Sequence, residues 1–127
     1  MSPIRMSKIE SGLRVVLLFV EEFNAHDLFS MVKLLGSDCI FDESGPGPEG
    51  TVYKGITDIS HHYVDVFQQS PNIHITVEDI FGLGIRSVLR YKYERINFSG
   101  NEGSLRGIDL FQLRDGLICE RCSYRKS

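Results

Sequence analysis

The chain has 127 residues, of which 42% are hydrophobic and 24% are charged, as in an ordinary globular protein. Its net charge of −3 and its scattered basic residues argue against a nucleic-acid surface, which needs concentrated positive charge. The longest apolar run, Val15 to Val20, is far shorter than the roughly 20 residues of a membrane span. The N-terminal segment has no apolar signal-peptide core. We therefore expect a single cytoplasmic domain over residues 1–127, with no membrane or nucleic-acid partner.

The cysteines do not indicate a disulfide framework or a metal site. There are three, an odd number. Cys119 and Cys122 have C-x-x-C spacing, but they lie on a predicted strand, where residues three apart point to opposite faces. The sequence also lacks a phosphate-binding glycine loop. We therefore expect no metal and no cofactor.

The first part of the chain has the periodicity of helices. Over residues 7–24, apolar residues recur at helical spacing on one side, and charged residues occupy the other side. Asp27 follows a break in this pattern and is suited to cap a second helix, whose apolar positions run from Leu28 to Leu35. Gly36 then provides a helix stop. These features predict a long first helix and a short second one.

A brief strand and a loop separate these helices from a third. Cys39 to Asp42 has strand character, whereas the next segment, Glu43 to Gly50, contains three glycines and two prolines that preclude regular structure. Residues 55–69 again place apolar side chains on one helical face, and Pro71 closes the segment. We therefore expect Glu43 at the rim of an exposed loop and a third helix over residues 55–69.

The second half of the chain alternates with a period of two, which is typical of strands. The alternation begins at Asn72 and slips at Asp79-Ile80, which predicts a bulge. A long strand is predicted over Arg86 to Phe98. The last segment, Ser104 to Tyr124, is predicted to form two strands joined at Asp115-Gly116, because Asp-Gly strongly favours a hairpin turn.

Helices followed by antiparallel strands give an α+β layout. We predict a cone-shaped fold in which three N-terminal helices pack on a strongly curved, mainly antiparallel sheet. Such a fold encloses a conical cavity between its layers, which suits a small apolar molecule. Asp109 lies in the penultimate strand on the same face as Phe111, so a buried carboxylate there must be paired, protonated or open to the cavity.

Three local sequences add a family resemblance: FNAHDL at residues 23–28, DCIFDE at 38–43 and GIDLFQLRDG at 107–116. With the order of the elements, they resemble the nuclear transport factor 2-like (cystatin-like) superfamily, in particular its ketosteroid isomerases and SnoaL-like polyketide cyclases. The resemblance spans nearly the whole chain. It implies the fold but not one function, because the superfamily includes unrelated enzymes and binding proteins.

The resemblance also implies roles for individual residues. Asp109 matches the strand position at which isomerases keep a protonated aspartate and SnoaL-like cyclases a catalytic acid/base. Glu43 matches the isomerase general base, and Tyr63 and His62 match aromatic pocket residues of the third helix. Phe19 stands where the isomerases have the tyrosine that polarises the substrate carbonyl. A phenyl ring donates no hydrogen bond, so Phe19 argues against steroid isomerisation.

Two carboxylates beside an apolar cavity suit proton transfer next to a carbonyl group, with an ionised base and a neutral donor, as in ketosteroid isomerase. In this hypothesis Glu43 is the base and Asp109 is the donor. Arg121 leaves an alternative open, because facing inward it would hold Asp109 ionised. The pair would then resemble the carboxylate–arginine pairs of limonene-epoxide hydrolase-like relatives, which activate water. The opposite parity would instead turn Ile118 and Cys122 inward.

We therefore predict a small-molecule enzyme that performs acid/base proton transfer on an apolar carbonyl compound, by isomerisation, cyclisation or water addition. The alternative is a non-catalytic ligand-binding or dimerisation module of the same fold, which Phe19 favours. A homodimer through the outer sheet face is expected, as is usual in relatives. The expected catalytic residues are Asp109 and Glu43, and the expected substrate-pocket residues are Phe19, His62, Tyr63, Phe111 and Arg121.

Overall fold

The computed structural model describes residues 3–45, 48–96 and 102–126. Two helices, α1 (Pro3–Asn24) and α2 (Leu28–Val32), precede the first strand. The third helix, α3 (Gly55–Gln69), lies between the second and third strands. Six strands are present in this part of the chain: β1 (Leu35–Glu43), β2 (Thr51–Lys54), β3 (His74–Leu83), β4 (Arg86–Ile96), β5 (Glu102–Arg114) and β6 (Leu117–Arg125).

The strands form one sheet in the order β2-β1-β6-β5-β4-β3. All neighbouring pairs are antiparallel except β1 and β6, which run parallel. Helix α1 packs on β3, β4 and β6, and α3 packs on β1 and β2. The predicted α+β architecture, with helices packed on a mainly antiparallel sheet, is confirmed. None of the described helices is long and apolar enough to cross a membrane.

The three predicted helices are confirmed, but two boundaries differ: α1 begins at Pro3, four residues before the predicted start, and α2 is shorter than predicted. The Asp27 carboxylate caps α2 by accepting a hydrogen bond from the backbone N–H of Ser30 at 3.1 Å. However, α2 ends at Val32 and does not continue to Gly36, which lies inside β1. The reason is strand pairing: Leu35 is already in register with Ile118 of β6, so its backbone is extended.

The turns and bulges of the sheet follow the sequence closely. The β3–β4 register shifts between Val77 and Asp79, one residue before the predicted slip. Asp115 and Gly116 have φ values of 54° and 78°, as a two-residue hairpin turn of type I′ requires. Asn97 and Phe98, at the end of the predicted strand, and Pro46 and Gly47, in the predicted loop, lie outside the described residues.

The core lies between the helices and the inner face of the sheet, the face that points toward α1 and α3. Phe19 of α1 is its centre: the ring makes edge contacts with Phe41, Phe111 and Tyr63 at centroid distances of 5.8, 6.0 and 6.4 Å. The inner face of β5 carries Gly107, Asp109, Phe111 and Leu113, all buried. A charged residue therefore stands in the middle of the apolar layer.

Candidate active site

A cavity of about 650 Å³ opens between α3 and the inner face of the sheet. Apolar groups form part of its wall: Phe23, Val66, Ile73 and Leu105. Polar and charged groups form its floor: Glu43, His62, Tyr63, Tyr93, Arg121 and Arg125. The cavity thus combines an apolar surface with a compact ionic cluster, the usual composition of a small-molecule site.

Arg121 is the centre of the ionic cluster. Its Nε and Nη2 atoms each lie 2.7 Å from Asp109 Oδ2, and its Nη1 donates to Tyr63 Oη at 2.7 Å and also contacts Glu43 Oε1. Only 3% of Arg121 is exposed. Burial alone would lower the pKa of Arg121, but the carboxylates of Asp109 and Glu43 outweigh it and raise this pKa well above its usual value.

Aromatic rings surround the guanidinium. Its Cζ lies 5.4 Å from the centroid of Phe41 and 6.0 Å from those of Phe19 and Phe111. Phe19 and Phe111 were expected to line the pocket, but they lie behind the ionic cluster in the core and do not line the cavity. These two rings pack against the side of the Arg121 guanidinium that faces the core.

A bulge in β6 explains why Arg121 faces inward. Leu113 is in register with Ile118, but Gln112 is in register with Glu120, so Cys119 is an extra residue on β6. The extra residue lets both Ile118 and Arg121 point to the inner face, although they are three residues apart. Ile118 and Arg121, which the sequence treated as alternatives, are thus both inward, whereas Cys122 is in register with the exposed Leu110 and does not point inward.

Asp109 is an ion-pair partner in this structure. One oxygen faces Arg121, and the other accepts a hydrogen bond from the Tyr91 hydroxyl at 2.9 Å. Only 1% of Asp109 is exposed, and it does not line the cavity. The structure therefore places Arg121 inward as the ion-pair partner of Asp109, the alternative that the sequence left open. The expected role of Asp109 as a hydrogen-bond donor to the substrate does not fit this position, because Asp109 does not line the cavity.

Glu43 lies at the end of β1 and not on an exposed loop. It is in register with Thr51 of β2 and is 3% exposed. Its Oε2 accepts from Arg125 Nη2 at 3.1 Å, and its Oε1 accepts from Tyr63 at 3.3 Å and from Arg121. Burial raises the pKa of Glu43, but Arg121 and Arg125 together outweigh this effect, and the pKa is lowered.

His62 is the titratable group beside this carboxylate. Its Nε2 lies 3.8 Å from Glu43 Oε1, and its ring stacks on Tyr53 at a centroid distance of 4.2 Å. Burial lowers the pKa of His62, and the opposing effect of Glu43 offsets only part of that shift. The neutral imidazole therefore predominates at neutral pH. The neighbouring His61 is exposed, as the helical spacing predicts for only one inward histidine.

Three further site residues were not predicted from the sequence. Arg125 Nε donates to the Tyr91 hydroxyl at 3.3 Å, and its Cζ lies 4.9 Å from the centroid of Tyr93. Burial, with the charge of Asp109, raises the pKa of Tyr91 to about 12. The alternation of β6 beyond Arg121 indicates Arg125 at the next-but-one inward position. The same alternation on β4 brings Tyr91 and Tyr93 to the inner face.

In the described part of the chain, no group of three or more histidine, cysteine, aspartate or glutamate side chains is placed to share a metal ion. The cysteines Cys39, Cys119 and Cys122 are free. The chemistry of the floor is thus that of one carboxylate, two guanidiniums, an imidazole and tyrosine hydroxyls, with the Asp109 carboxylate behind Arg121. Such groups can move protons and stabilise anions.

A family model described as a SnoaL-like domain matches residues 16–121. The chain belongs to the SnoaL-like family. The predicted resemblance is thereby confirmed, and the matched segment includes Glu43, His62, Asp109 and Arg121 of this SnoaL-like domain. A comparison with curated proteins finds no match.

Solved structures share the fold of this SnoaL-like protein. An NTF2-like protein of unknown function from Mesorhizobium loti is 26% identical, with 94% of each chain covered and a TM-score of 0.79. A putative SnoaL-like polyketide cyclase from Jannaschia is 18% identical over 99% of this chain and 90% of that one, with a TM-score of 0.81. A ketosteroid isomerase-like fold from Catenulispora acidiphila, in complex with trimethylamine, is 14% identical over 87% and 83%, with a TM-score of 0.79. The last two show the fold alone.

Proposed function

We propose that this protein is an enzyme that removes a proton next to the carbonyl group of an apolar compound held in the cavity. The observation that supports the proposal most directly is the pairing of a buried carboxylate, Glu43, with a half-buried imidazole, His62, on the cavity floor. The remaining floor groups are donors that can stabilise the negative charge that develops on the carbonyl oxygen. Proton removal of this kind is the first step of both isomerisation and aldol-type cyclisation.

His62 is the proposed base. A general base works best when its pKa is near the operating pH, and the neutral imidazole of His62 meets that condition better than Glu43, whose lowered pKa makes it a weak base. In the proposed step the imidazole takes the α-proton, and the electron pair of the C–H bond moves to the carbonyl oxygen to give an enolate. Glu43 stabilises the imidazolium that forms, because its carboxylate lies 3.8 Å away.

Arg125 and Tyr93 are the proposed stabilisers of the enolate oxygen. Arg125 is partly exposed, with 20% of its side chain accessible, and it lines the cavity together with Tyr93. Return of the proton to a different carbon completes an isomerisation, whereas attack of the enolate on a second carbonyl completes a cyclisation. Asp109 does not line the cavity, so it serves in this proposal as a positioning residue that holds Arg121.

Water addition is less well supported. It would need a carboxylate in the cavity that is basic enough to activate water, but Asp109 does not line the cavity and the lowered pKa of Glu43 makes it a weak base. The arrangement of Asp109, Arg121 and Glu43 does resemble a carboxylate–arginine set, and this is the reason to include an epoxide among the compounds tested.

The test is deuterium exchange followed by NMR. In D₂O, the wild-type protein is expected to accelerate exchange of the methylene protons next to the ketone in 4-oxo-4-phenylbutanoate, in its amide, or in 1-phenylbutane-1,3-dione. His62→Gln should reduce the acceleration by at least about a hundredfold, as is typical for loss of a general base. His61→Gln, which changes an exposed histidine on the same helix, should leave it unchanged. Absence of accelerated exchange with all three compounds, or full exchange in His62→Gln, would contradict the proposal.

The alternative proposal is a non-catalytic ligand-binding module. The observation that favours it is Phe19, which is buried and carries no hydroxyl at the position where isomerases have a tyrosine. Binding of these ketones, seen as shifted resonances of cavity residues, without accelerated exchange would favour the binding module. Hydrolysis of an added epoxide, styrene oxide, in place of exchange would favour water addition.

We also propose that the protein works as a homodimer in the cytoplasm. The outer sheet face carries apolar side chains in register across strands: Phe81, Val88 and Leu110 in one row, and Ile108 and Tyr124 in the next. Leu110 and Ile108 are each 42% exposed. Light scattering should give twice the monomer mass, and Leu110→Asp should give the monomer, whereas Val64→Asp, at an exposed apolar position on α3, should not. The free cysteines suit a reducing compartment.

A further inference from the structure

The charges inside the cavity are balanced, but those at its mouth are not. At the floor and directly behind it, the carboxylates of Glu43 and Asp109 face the guanidiniums of Arg121 and Arg125 at hydrogen-bond distance. This set of four has no net charge. Its polar groups pair with one another, so this set needs no further ionised group from a ligand.

The mouth carries two more cations. Arg95 follows Tyr91 and Tyr93 in the inward alternation of β4, and Lys126 follows the last residue of β6; both line the cavity and both are exposed. The position of Lys126 is fixed by a backbone hydrogen bond from its N–H to the carbonyl of Arg106 at 2.9 Å. Among the side chains that the structure describes, which do not include that of Glu102, neither Arg95 nor Lys126 has a carboxylate within 4.0 Å.

One carboxylate, Asp65 of α3, also lines the cavity and is exposed. Counted over the side chains that the structure describes, the mouth therefore has an excess of one positive charge. This excess is local, because the chain as a whole has a net charge of −3. A positive mouth on an acidic protein attracts anions to the cavity and repels cations from it.

We infer that the compound bound in this cavity is a keto acid: an apolar body that carries a carboxylate at one end and a ketone at the other. The inference rests on the proposed function, because the ketone of this molecule is the carbonyl group next to which the proton is removed. The carboxylate lies at the mouth against Arg95 and Lys126, where water and two cations stabilise its charge. The apolar body lies against Phe23, Val66 and Leu105, and the ketone reaches the floor.

The structure favours this orientation over its reverse. A carboxylate on the floor would approach Glu43, which is held ionised and is already paired. A ketone oxygen carries no full charge, so it can accept a hydrogen bond from Arg125 or Tyr93 without that repulsion. The mouth of the cavity thus favours the carboxylate of the keto acid, and the floor favours its ketone.

The test compares 4-oxo-4-phenylbutanoate with its amide, which has nearly the same shape and no charge. NMR titration of the wild-type protein should give a dissociation constant about fivefold to tenfold lower for the carboxylate, in line with one or two partly exposed charge contacts. The preference should decrease when the ionic strength is raised from about 0.01 M to 1 M, because salt screens exposed charges.

Matched variants show whether Arg95 and Lys126 cause the preference for the carboxylate over the amide. The double variant Arg95→Gln with Lys126→Gln should bind the carboxylate and the amide equally. The double variant Lys33→Gln with Arg86→Gln removes two exposed cations that do not line this cavity, and it should keep the wild-type preference. Equal binding of the two compounds by the wild type, or a preference that survives in Arg95→Gln with Lys126→Gln, would overturn the inference.

Deuterium exchange separates this inference from the proposed function. Faster exchange with the carboxylate than with the amide, lost in the Arg95 and Lys126 double variant, supports both. Equal exchange rates for the two compounds contradict the keto-acid inference and leave the proton-transfer proposal standing. A clear binding preference with no exchange for either compound contradicts the proton-transfer proposal, while the carboxylate site at the mouth stands.

Discussion

Arg121 Nε lies 2.7 Å from Asp109 Oδ2, and both side chains are almost fully buried. This contact joins two neighbouring strands through their side chains, since Asp109 lies on β5 and Arg121 on β6. Arg121 also reaches Glu43 on β1, so one guanidinium pairs with two carboxylates from two different strands. The charges of the cavity floor therefore depend on each other, and loss of one affects the others.

Asp109→Asn should destabilise the fold by about 3 kcal/mol, because removal of one partner from a buried ion pair leaves the other charge uncompensated. Arg121→Met should cost more, since it leaves Asp109 and Glu43 without their shared partner. Asp79→Asn is the control, because Asp79 is an exposed acid on β3. Urea unfolding measures all three, and an Asp109→Asn variant as stable as Asp79→Asn would refute the role of this pair.

Gly107→Ala should disturb the hydrogen bond between Tyr91 and Asp109. A Cβ atom at Gly107 would lie 2.8 Å from Tyr91 Oη and 2.9 Å from the carbonyl oxygen of Tyr124, both closer than real contacts allow. We expect a loss of about 2 kcal/mol, the cost of overpacking a filled core. Gly103→Ala, on the same strand, meets only the Arg95 side chain at 3.6 Å and should be neutral. Equal stabilities of the two variants in thermal unfolding would contradict this account.

Gly50→Ala should displace Glu43. The Cβ atom would lie 2.0 Å from the backbone oxygen of Glu43, and φ at Gly50 is +78°. Gly116 has the same φ of +78° but open space around it, so Gly116→Ala reports the backbone strain alone, about 1 kcal/mol. We expect Gly50→Ala to lose about 3 kcal/mol or more and to weaken ketone binding, whereas Gly116→Ala should keep binding intact. If both variants bound the ketone equally well, the close approach of Gly50 to Glu43 would not be needed to keep Glu43 in place.

Acid should destabilise the protein in two steps. The pKa of His62 is lowered from 6.5 and that of Glu43 from 4.5 in the folded state. As the pH falls, the unfolded chain therefore takes up these protons before the folded protein does. The free energy of unfolding should be highest above pH 6.5, decline below pH 6.5 because of His62, and decline further below pH 4.5 because of Glu43. Urea unfolding from pH 8 to pH 4 checks this. His62→Gln should remove the decline that begins near pH 6.5, and His61→Gln should retain it.

The sequence was sufficient for the architecture and for one of the two buried acids. Asp109 was identifiable because apolar residues flank it on both faces of a strand. The direction of Arg121 was not predictable, because it depends on a bulge at Cys119 that forms only when β6 pairs with β5. Glu43 was assigned to a loop by its glycine and proline neighbours, yet pairing with Thr51 extends β1 to include it.

The partners of the buried acids were harder to predict than the acids. Tyr91 lies on β4 and Arg125 on β6, with β5 between them. Their side chains can touch across β5 because the residue in register with both is Gly107, which has no side chain. A sequence pattern shows which face a residue occupies, but not which strands become neighbours. The network of the cavity floor is therefore a property of the sheet order.

The proposed proton transfer requires a neutral His62 beside an ionised Glu43 on the cavity floor. The decisive experiment is NMR titration of the His62 ring in the wild type and in Glu43→Gln. We expect a pKa below 6.5 for His62 in the wild type and a still lower pKa in Glu43→Gln, since the Glu43 charge raises the pKa of His62 against the effect of burial. A wild-type pKa at or above 6.5, or one that Glu43→Gln does not change, would contradict the proposal.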